Sequence, residues 1–160
     1  MADKPANHLR AWSYVFVQGL ILVLLVFLSD DIGPTVSRVA YVGAALEWLG
    51  FIGILMSAIS IRTSLTALPL PKQHSRLGTS GLYKYVRHPM YTSVIILALG
   101  IALLSGNIIK YGLVIGLIVL FYRKSVYEEH YLRLKHSDYE AYAKKTPRFI
   151  PLLIKKGDKL

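Results

Sequence analysis

The chain has 160 residues and no cysteine. That suits one domain and excludes disulfides, thiolate nucleophiles and Cys-based metal sites. Hydrophobic residues make up 54% and charged residues 18%, against about a quarter charged in a soluble domain; mean hydropathy is +0.45. The apolar residues gather into long runs that read as membrane spans. The formal net charge of +10 crowds at the ends of those runs, so anionic headgroups and positive-inside bias account for it better than nucleic acid does.

The first run, AWSYVFVQGLILVLLVFL (11–28), is long and is followed by SDDIGP rather than a small-residue cleavage pattern, so it reads as a retained span. The second, 39–61, is long enough to cross alone, and SDDIGPTVSR between them is a loop of turn formers. Residues 62–81 carry Pro69, Pro71, Gly78 and Gly81 and read as a loop lying along the membrane surface or over a site. Runs 90–104 and 108–122, joined by Ser105-Gly106-Asn107, are each shorter than the roughly 20 residues of an ideal span and read as a helical hairpin. In RKSVYEEHYLRLKHSDYEAYAKK, tyrosines 127, 131, 139 and 142 and Leu134 recur near helical spacing, which predicts an amphipathic helix ending at TPRFIP. The expected fold is an all-α, polytopic single domain over 1–160, with about four spans and a C-terminal amphipathic helix. Basic residues concentrate before the first span, between the second and third, and after the fourth. An integral membrane protein with both termini cytoplasmic satisfies the positive-inside rule.

Under that topology three polar clusters meet at the cytoplasmic ends of the spans: LYKYVRHPMY, RKSVYEE and YEAYAKKTPRFIP. Together they offer carboxylates, cations, a histidine and tyrosines, an inventory suited to a zwitterionic small molecule bearing a flat base. Read singly, each has a structural explanation. Lys84 and Arg87 serve as inside anchors, His88 as an interfacial cap, and Glu128 and Glu129 as i,i+4 partners of Lys124 and Arg133. Glu47 stands inside the second span, where an ionisable group is costly and often functional; a bundle-facing structural role is the simpler reading.

The ordered set TSGLYKYVRHPMY, FYRKSVYEEHYL and YEAYAKKTPRFIP, over about residues 62–153, closely resembles the isoprenylcysteine carboxyl methyltransferase and phospholipid methyltransferase group of membrane enzymes. Two departures are visible: LKHSDY stands where the group often has Phe-Gly, and Gly81-Leu82-Tyr83 where it often has Gly-Pro-Tyr. The resemblance implies S-adenosylmethionine as cofactor and no metal. It implies a cofactor site in segments 81–91 and 123–151, built from Tyr83, Arg87, His88, Pro89, Tyr91, Glu128, Glu129, Tyr139, Tyr142, Pro147 and Arg148. It also implies a basic residue about a turn before the glutamates, a place that both Arg123 and Lys124 fill; with Glu128 these are the candidate catalytic residues. The implied reaction is methyl transfer to a lipid-like or hydrophobic acceptor at the cytoplasmic face; isoprenylcysteine carboxylate, a phospholipid amine or a small hydrophobic carboxylate or thiol all fit. An NADPH-dependent sterol-reductase-like enzyme is the competing reading, disfavoured by Met90 and by Thr92-Ser93-Val94 after Tyr91. A non-enzymatic membrane scaffold is the third.

Overall fold

The structure, a computed structural model, describes residues 8–30, 37–61 and 77–151. Among the described residues every regular element is helical. They are α1 His8–Phe27, α2 Ser37–Ile61, a single 3-10 turn Gly81–Lys84, α3 Pro89–Ser105, α4 Ile108–Lys135 and α5 Tyr139–Lys145. Most of the loop at 62–81 expected to cover the site lies outside the described residues, as does the basic tail after 151.

α1 and the 39–61 stretch of α2 are long and apolar enough to cross a membrane; α3, at 17 residues, is apolar but shorter. At 1.5 Å per residue α1 is about 30 Å long, the thickness of a hydrocarbon core. The faces of α1 and α2 turned away from the other helices carry large apolar side chains, Phe16 and Phe27 on one and Trp48 and Ile59 on the other.

α3 is central: α2 packs along one side of it, α4 and α1 on the other. The α2–α3 seam is close because glycine lines it. A Cβ at Gly50 would stand 2.5 Å from the Leu97 amide nitrogen and 2.7 Å from the Ser93 carbonyl oxygen, and one at Gly100 would strike the Glu47 backbone and side chain. Such close approach is how apolar helices associate where lipid removes the hydrophobic drive. Glu47 therefore lies at the α2–α3 seam, over the space that Gly100 leaves. On the other side, Leu25 of α1, Ala98 and Ala102 of α3, and Val114, Leu117 and Phe121 of α4 form the buried core.

The hairpin forms as expected, and local chemistry explains it. Pro89 occupies the first turn of α3, where its missing N–H is no loss. Gly106 ends α3 with φ +66°, the left-handed conformation that glycine adopts without penalty. Asn107 caps α4, its Oδ1 accepting from the Ile109 amide at 2.8 Å. Its Nδ2 donates to the Ser29 carbonyl at 2.9 Å, and Lys110 Nζ reaches Asp30 Oδ1 at 2.6 Å, tying the end of α1 to the hairpin.

One boundary differs from expectation. The stretch after the fourth apolar run is not a separate amphipathic helix. α4 continues unbroken through it to Lys135, and only residues 139–145 form a second, seven-residue helix. Arg, Lys, Glu and Leu are good helix formers, so leaving an apolar environment does not end the helix. The break falls at His136-Ser137-Asp138, inside LKHSDY, where Ser and Asp favour turns over helix interior.

Candidate functional site

The chain after α5 folds back onto the start of α3. The amides of Arg87 and His88 donate to the carbonyls of Pro147 and Arg148 at 2.8 and 3.1 Å, and Thr92 Oγ1 donates to the Phe149 carbonyl at 3.2 Å. Two N–H groups at the helix start, which have no partner inside the helix, are thereby satisfied. The Tyr142 hydroxyl donates to the Tyr83 carbonyl at 2.6 Å, holding α5 against the 3-10 turn. Burial pushes the Tyr142 hydroxyl up to about 12, with Arg87 pulling down and Glu129 pushing up, so it remains a donor.

All three polar clusters meet on α4. Glu129 is fully buried. Arg148 grips it with a two-pronged contact, Nε to Oε1 at 2.8 Å and Nη2 to Oε2 at 2.9 Å. His88 Nε2 lies 3.1 Å from Oε1, Arg87 Nη1 3.5 Å from Oε2, and Arg133 Nη2 3.6 Å from Oε2. Burial alone would raise this carboxyl; the hydrogen bonds from His88 and Arg148 and the charge of Arg87 overcome it and hold it down at about 2. Glu129 is thus consumed as an anchor for cations from the other two motifs.

Glu128 differs, one position earlier and about 100° round the helix. Its side chain keeps 29% exposure, accepts from the Tyr91 hydroxyl at 2.8 Å, and lies 3.7 Å from His88 Nδ1. His88 therefore bridges the two glutamates. Its ring is parallel to Tyr91 (5.3 Å, 2°), and Tyr91 to Phe121 (4.6 Å, 8°), with Phe149 tilted against His88 at 5.9 Å. Aromatic packing on this scale fixes ring orientation.

The two basic candidates differ in burial and contacts. Arg123 is exposed, whereas Lys124 is 3% exposed, its Nζ 2.7 Å from Gln18 Oε1 and 5.3 Å from the Tyr91 ring centre. Burial pushes the Lys124 ammonium down, and Glu128 pulls it back up. Of the other expected residues, Pro89 and Tyr139 are buried, and Arg133 lies 5.6 Å over the Tyr139 ring. Lys84 is exposed, as an anchor would be.

Two buried polar atoms in this cluster, Arg87 Nε and the Tyr139 hydroxyl, make no hydrogen bond. A buried unsatisfied polar group costs about 1–3 kcal/mol, which a polar ligand atom would relieve. A cleft of about 550 Å³ opens beside Tyr142, lined also by Leu77, Thr79, Lys135, His136, Ser137 and Asp138, the size of a small-molecule site. Burial, then Lys135, push the His136 imidazole down against the pull of Asp138, favouring its neutral form.

Four contributors escaped the sequence reading: Phe149, Phe121, Thr92 and Gln18. Only Gln18 carried a signal, as a polar residue inside an apolar run.

The described residues form a helical protein with two helices long and apolar enough to cross a membrane and a polar cluster at one end of α3 and α4. The phospholipid methyltransferase family model matches residues 39–138, more than half of the chain, and the chain belongs to that family. The resemblance carried by the three motifs is borne out by relatives as well. The protein-S-isoprenylcysteine O-methyltransferase of Schizosaccharomyces pombe is 42% identical over 80 residues, which are 48% of this chain and 34% of that protein. Protein-S-isoprenylcysteine O-methyltransferase B of Arabidopsis thaliana is 31% identical over 85 residues, 51% of this chain and 43% of that one. The nickel-cobalt-cadmium resistance protein NccN of Alcaligenes xylosoxydans xylosoxydans is 24% identical over 134 residues, 83% of this chain and 62% of its own length. The chain thus spans less than two thirds of each of these relatives. No solved structure matches it significantly.

Proposed function

We propose that the chain is an S-adenosylmethionine-dependent methyltransferase acting on a lipid-like or hydrophobic acceptor at the cytoplasmic membrane face. The observation that carries this reading is His88 bridging Glu128 and Glu129 while Arg148 clasps Glu129, so that one cluster unites the three motifs that carry the resemblance. The residues present suit the cofactor. Glu128 offers a partly open carboxylate to an ammonium or ribose hydroxyls, Arg87 an unsatisfied N–H to a carboxylate, and Tyr139 an unsatisfied hydroxyl. The cleft beside Tyr142 suits the remainder. Arg148, Glu129 and Pro147 act as positioning groups that hold Arg87 and His88.

The cofactor, when bound, supplies an electrophilic methyl on a sulfonium. The protein's part is alignment, and holding donor and acceptor in near-attack geometry can contribute roughly 7–11 kcal/mol. Tyr91 is fixed at both its hydroxyl and its ring; Lys124, buried beside it, is placed to hold the acceptor head. A carboxylate acceptor needs no base, whereas an amine must shed its proton, which desolvation by the apolar helix faces favours. Arg123, exposed on α4, takes no part. The hydrophobic tail would lie along the outer faces of the helices.

In the proposed topology α3 and the first half of α4 cross as a hairpin, giving four spans with both termini inside. The absence of cysteine makes this simple to check. A cysteine at exposed Ile108 should label from outside sealed cells, and one at Lys144 only after permeabilisation; the reverse would refute the orientation.

The direct test is titration of the purified protein in detergent with S-adenosylhomocysteine and, separately, with NADPH. Binding of the first alone supports the methyltransferase. Binding of NADPH would favour the reductase, and binding of neither the scaffold.

A further inference from the structure

Lys124 is contacted from outside the stretch that the family model matches. α1 lies before residue 39, where the match begins. Its residues Arg10, Tyr14 and Gln18 recur every fourth position and so share one face. That face meets α4: the Arg10 guanidinium lies 5.1 Å over the Tyr127 ring, Tyr14 and Tyr127 have ring centres 5.8 Å apart, and Gln18 takes the Lys124 ammonium at 2.7 Å. A glutamine amide inside an apolar helix is unfavourable toward lipid. Its contact is with a buried ammonium that faces Tyr91 from α3 and Glu128 from its own helix. A carboxylate at position 18 would neutralise that ammonium. An amide fixes its position and leaves its charge.

We propose that Gln18 is a positioning residue of the acceptor site: it holds the Lys124 ammonium beside Tyr91 without neutralising it, ready for an anionic group on the acceptor. The inference rests on the methyltransferase reading for its consequence, but not for its geometry. α1 is then part of the reaction site, in addition to anchoring the chain, and the acceptor head is met at the α1–α4 seam.

The test uses full-length protein in detergent, with wild type, Gln18→Leu and the isosteric Gln18→Glu. Three readouts are taken: S-adenosylhomocysteine affinity, KM and kcat against pH with N-acetyl-S-farnesylcysteine as the probe acceptor, and the pH midpoint of Lys124 labelling by an amine reagent, read by mass spectrometry. Gln18→Leu removes an acceptor from the ammonium and disfavours its charged form, so the labelling midpoint and the alkaline limb of kcat/KM should both move to lower pH. Gln18→Glu adds a negative charge, so both should move to higher pH. KM for the probe should rise about tenfold in each variant, with S-adenosylhomocysteine affinity unchanged. The labelling needs neither cofactor nor acceptor. If wild type fails to bind S-adenosylhomocysteine yet the midpoints move as stated, the methyltransferase reading falls and the hold on Lys124 stands. Equal midpoints in all three proteins overturn the inference. So does a loss of S-adenosylhomocysteine affinity as large as the loss for the probe, which would make Gln18 a prop for the whole fold. Should Gln18→Leu fail to fold, Gln18→Glu alone decides, through the direction of its shift.

Discussion

The two ends of the apolar part of α4 each bury a lysine, and α1 or the residues just after it answer each one differently. Lys110, 2% exposed, meets the Asp30 carboxylate at 2.6 Å; Lys124, 3% exposed, meets the Gln18 amide at 2.7 Å. Fourteen residues separate them, about four helical turns and about 21 Å, so they return to nearly the same face. The Lys110 hydrogen bond holds the Asp30 carboxyl below its usual range, and the two opposite charges match. At the other end Lys124, Arg87, Arg133 and Arg148, four cations, meet three carboxylates: saturated Glu129, partly open Glu128, and exposed Glu140, which takes Arg133 at 3.0 Å. Matched charges close one end of the helix. Cations in excess over carboxylates make the other end fit to receive an anion.

Breaking the crowded end should have the largest effect. Glu129→Gln leaves Arg87, Arg148 and His88 around a neutral group. Breaking a buried ion pair costs about 3–5 kcal/mol. We expect the lower figure, because the Arg87 and Arg148 side chains keep 13 and 24% exposure. Chemical unfolding in detergent would measure it. The sign with pH follows from the same contacts. The Glu129 carboxyl is held down at about 2, against an ordinary 4.5, so its contribution is fully present above 4.5 and fades as pH falls toward 2. Wild type should therefore lose stability across that window more steeply than Glu129→Gln; parallel curves would count against Glu129 as the hub.

Lys124→Met comes next. Methionine matches the lysine stem in length and removes the charge. Stability should hardly change, since burying that charge was unfavourable to begin with. Turnover of N-acetyl-S-farnesylcysteine should fall about a hundredfold, near 2.7 kcal/mol in the barrier. Unaltered turnover would mean that Lys124 is as purely structural as Lys110.

How much of this contrast could be read from sequence depends on how local its causes are. The α3–α4 hairpin was legible because Pro89, Gly106 and Asn107 act on their own backbone. The convergence of the three motifs was legible from the span topology, which sets them at the same end of the helices; the pairing of individual residues was not, since no spacing rule brings residue 88 to residues 128, 129 and 148. Arg123 and Lys124 could not be told apart, because one residue rotates a side chain by about 100°, and which of them faces the core depends on how α4 packs. The same rotation separates buried Glu129 from half-open Glu128. Gln18 and Lys124 are 106 positions apart, and their pairing is a property of tertiary packing. The end of α4 lies elsewhere than expected because the aromatic spacing runs on through His136-Ser137-Asp138, where Ser and Asp break the helix.

Glu128→Gln tests the open side of the crowded end. It keeps the size, and the remaining amide oxygen can still accept from Tyr91. What it removes is the negative charge that a cofactor ammonium would meet. Losing a charge-assisted hydrogen bond costs roughly 1.5–3 kcal/mol, so S-adenosylhomocysteine affinity should fall about ten- to a hundredfold while the unfolding midpoint stays close to wild type. Unchanged affinity would remove Glu128 from the site and leave it as the i,i+4 neighbour of Lys124.

The smallest effect is expected at the closed end, and it is the control on which the comparison depends. Lys110→Met is the same chemical change as Lys124→Met, on the same helix and nearly the same face, at equal burial. It leaves Asp30 without its ammonium, but that side chain is 53% exposed and water can take over its hydrogen bonds. The Asn107 to Ser29 contact still ties α1 to the hairpin. About 21 Å along the helix from Lys124, the two sites should behave independently. S-adenosylhomocysteine affinity and turnover in Lys110→Met should therefore stay within about twofold of wild type, and the double variant should lose no more turnover than Lys124→Met alone. If Lys110→Met instead lowers turnover as far as Lys124→Met does, the two lysines act through a common effect on how α1 seats against α4. The distinction between a closed end and a receiving end would then fail.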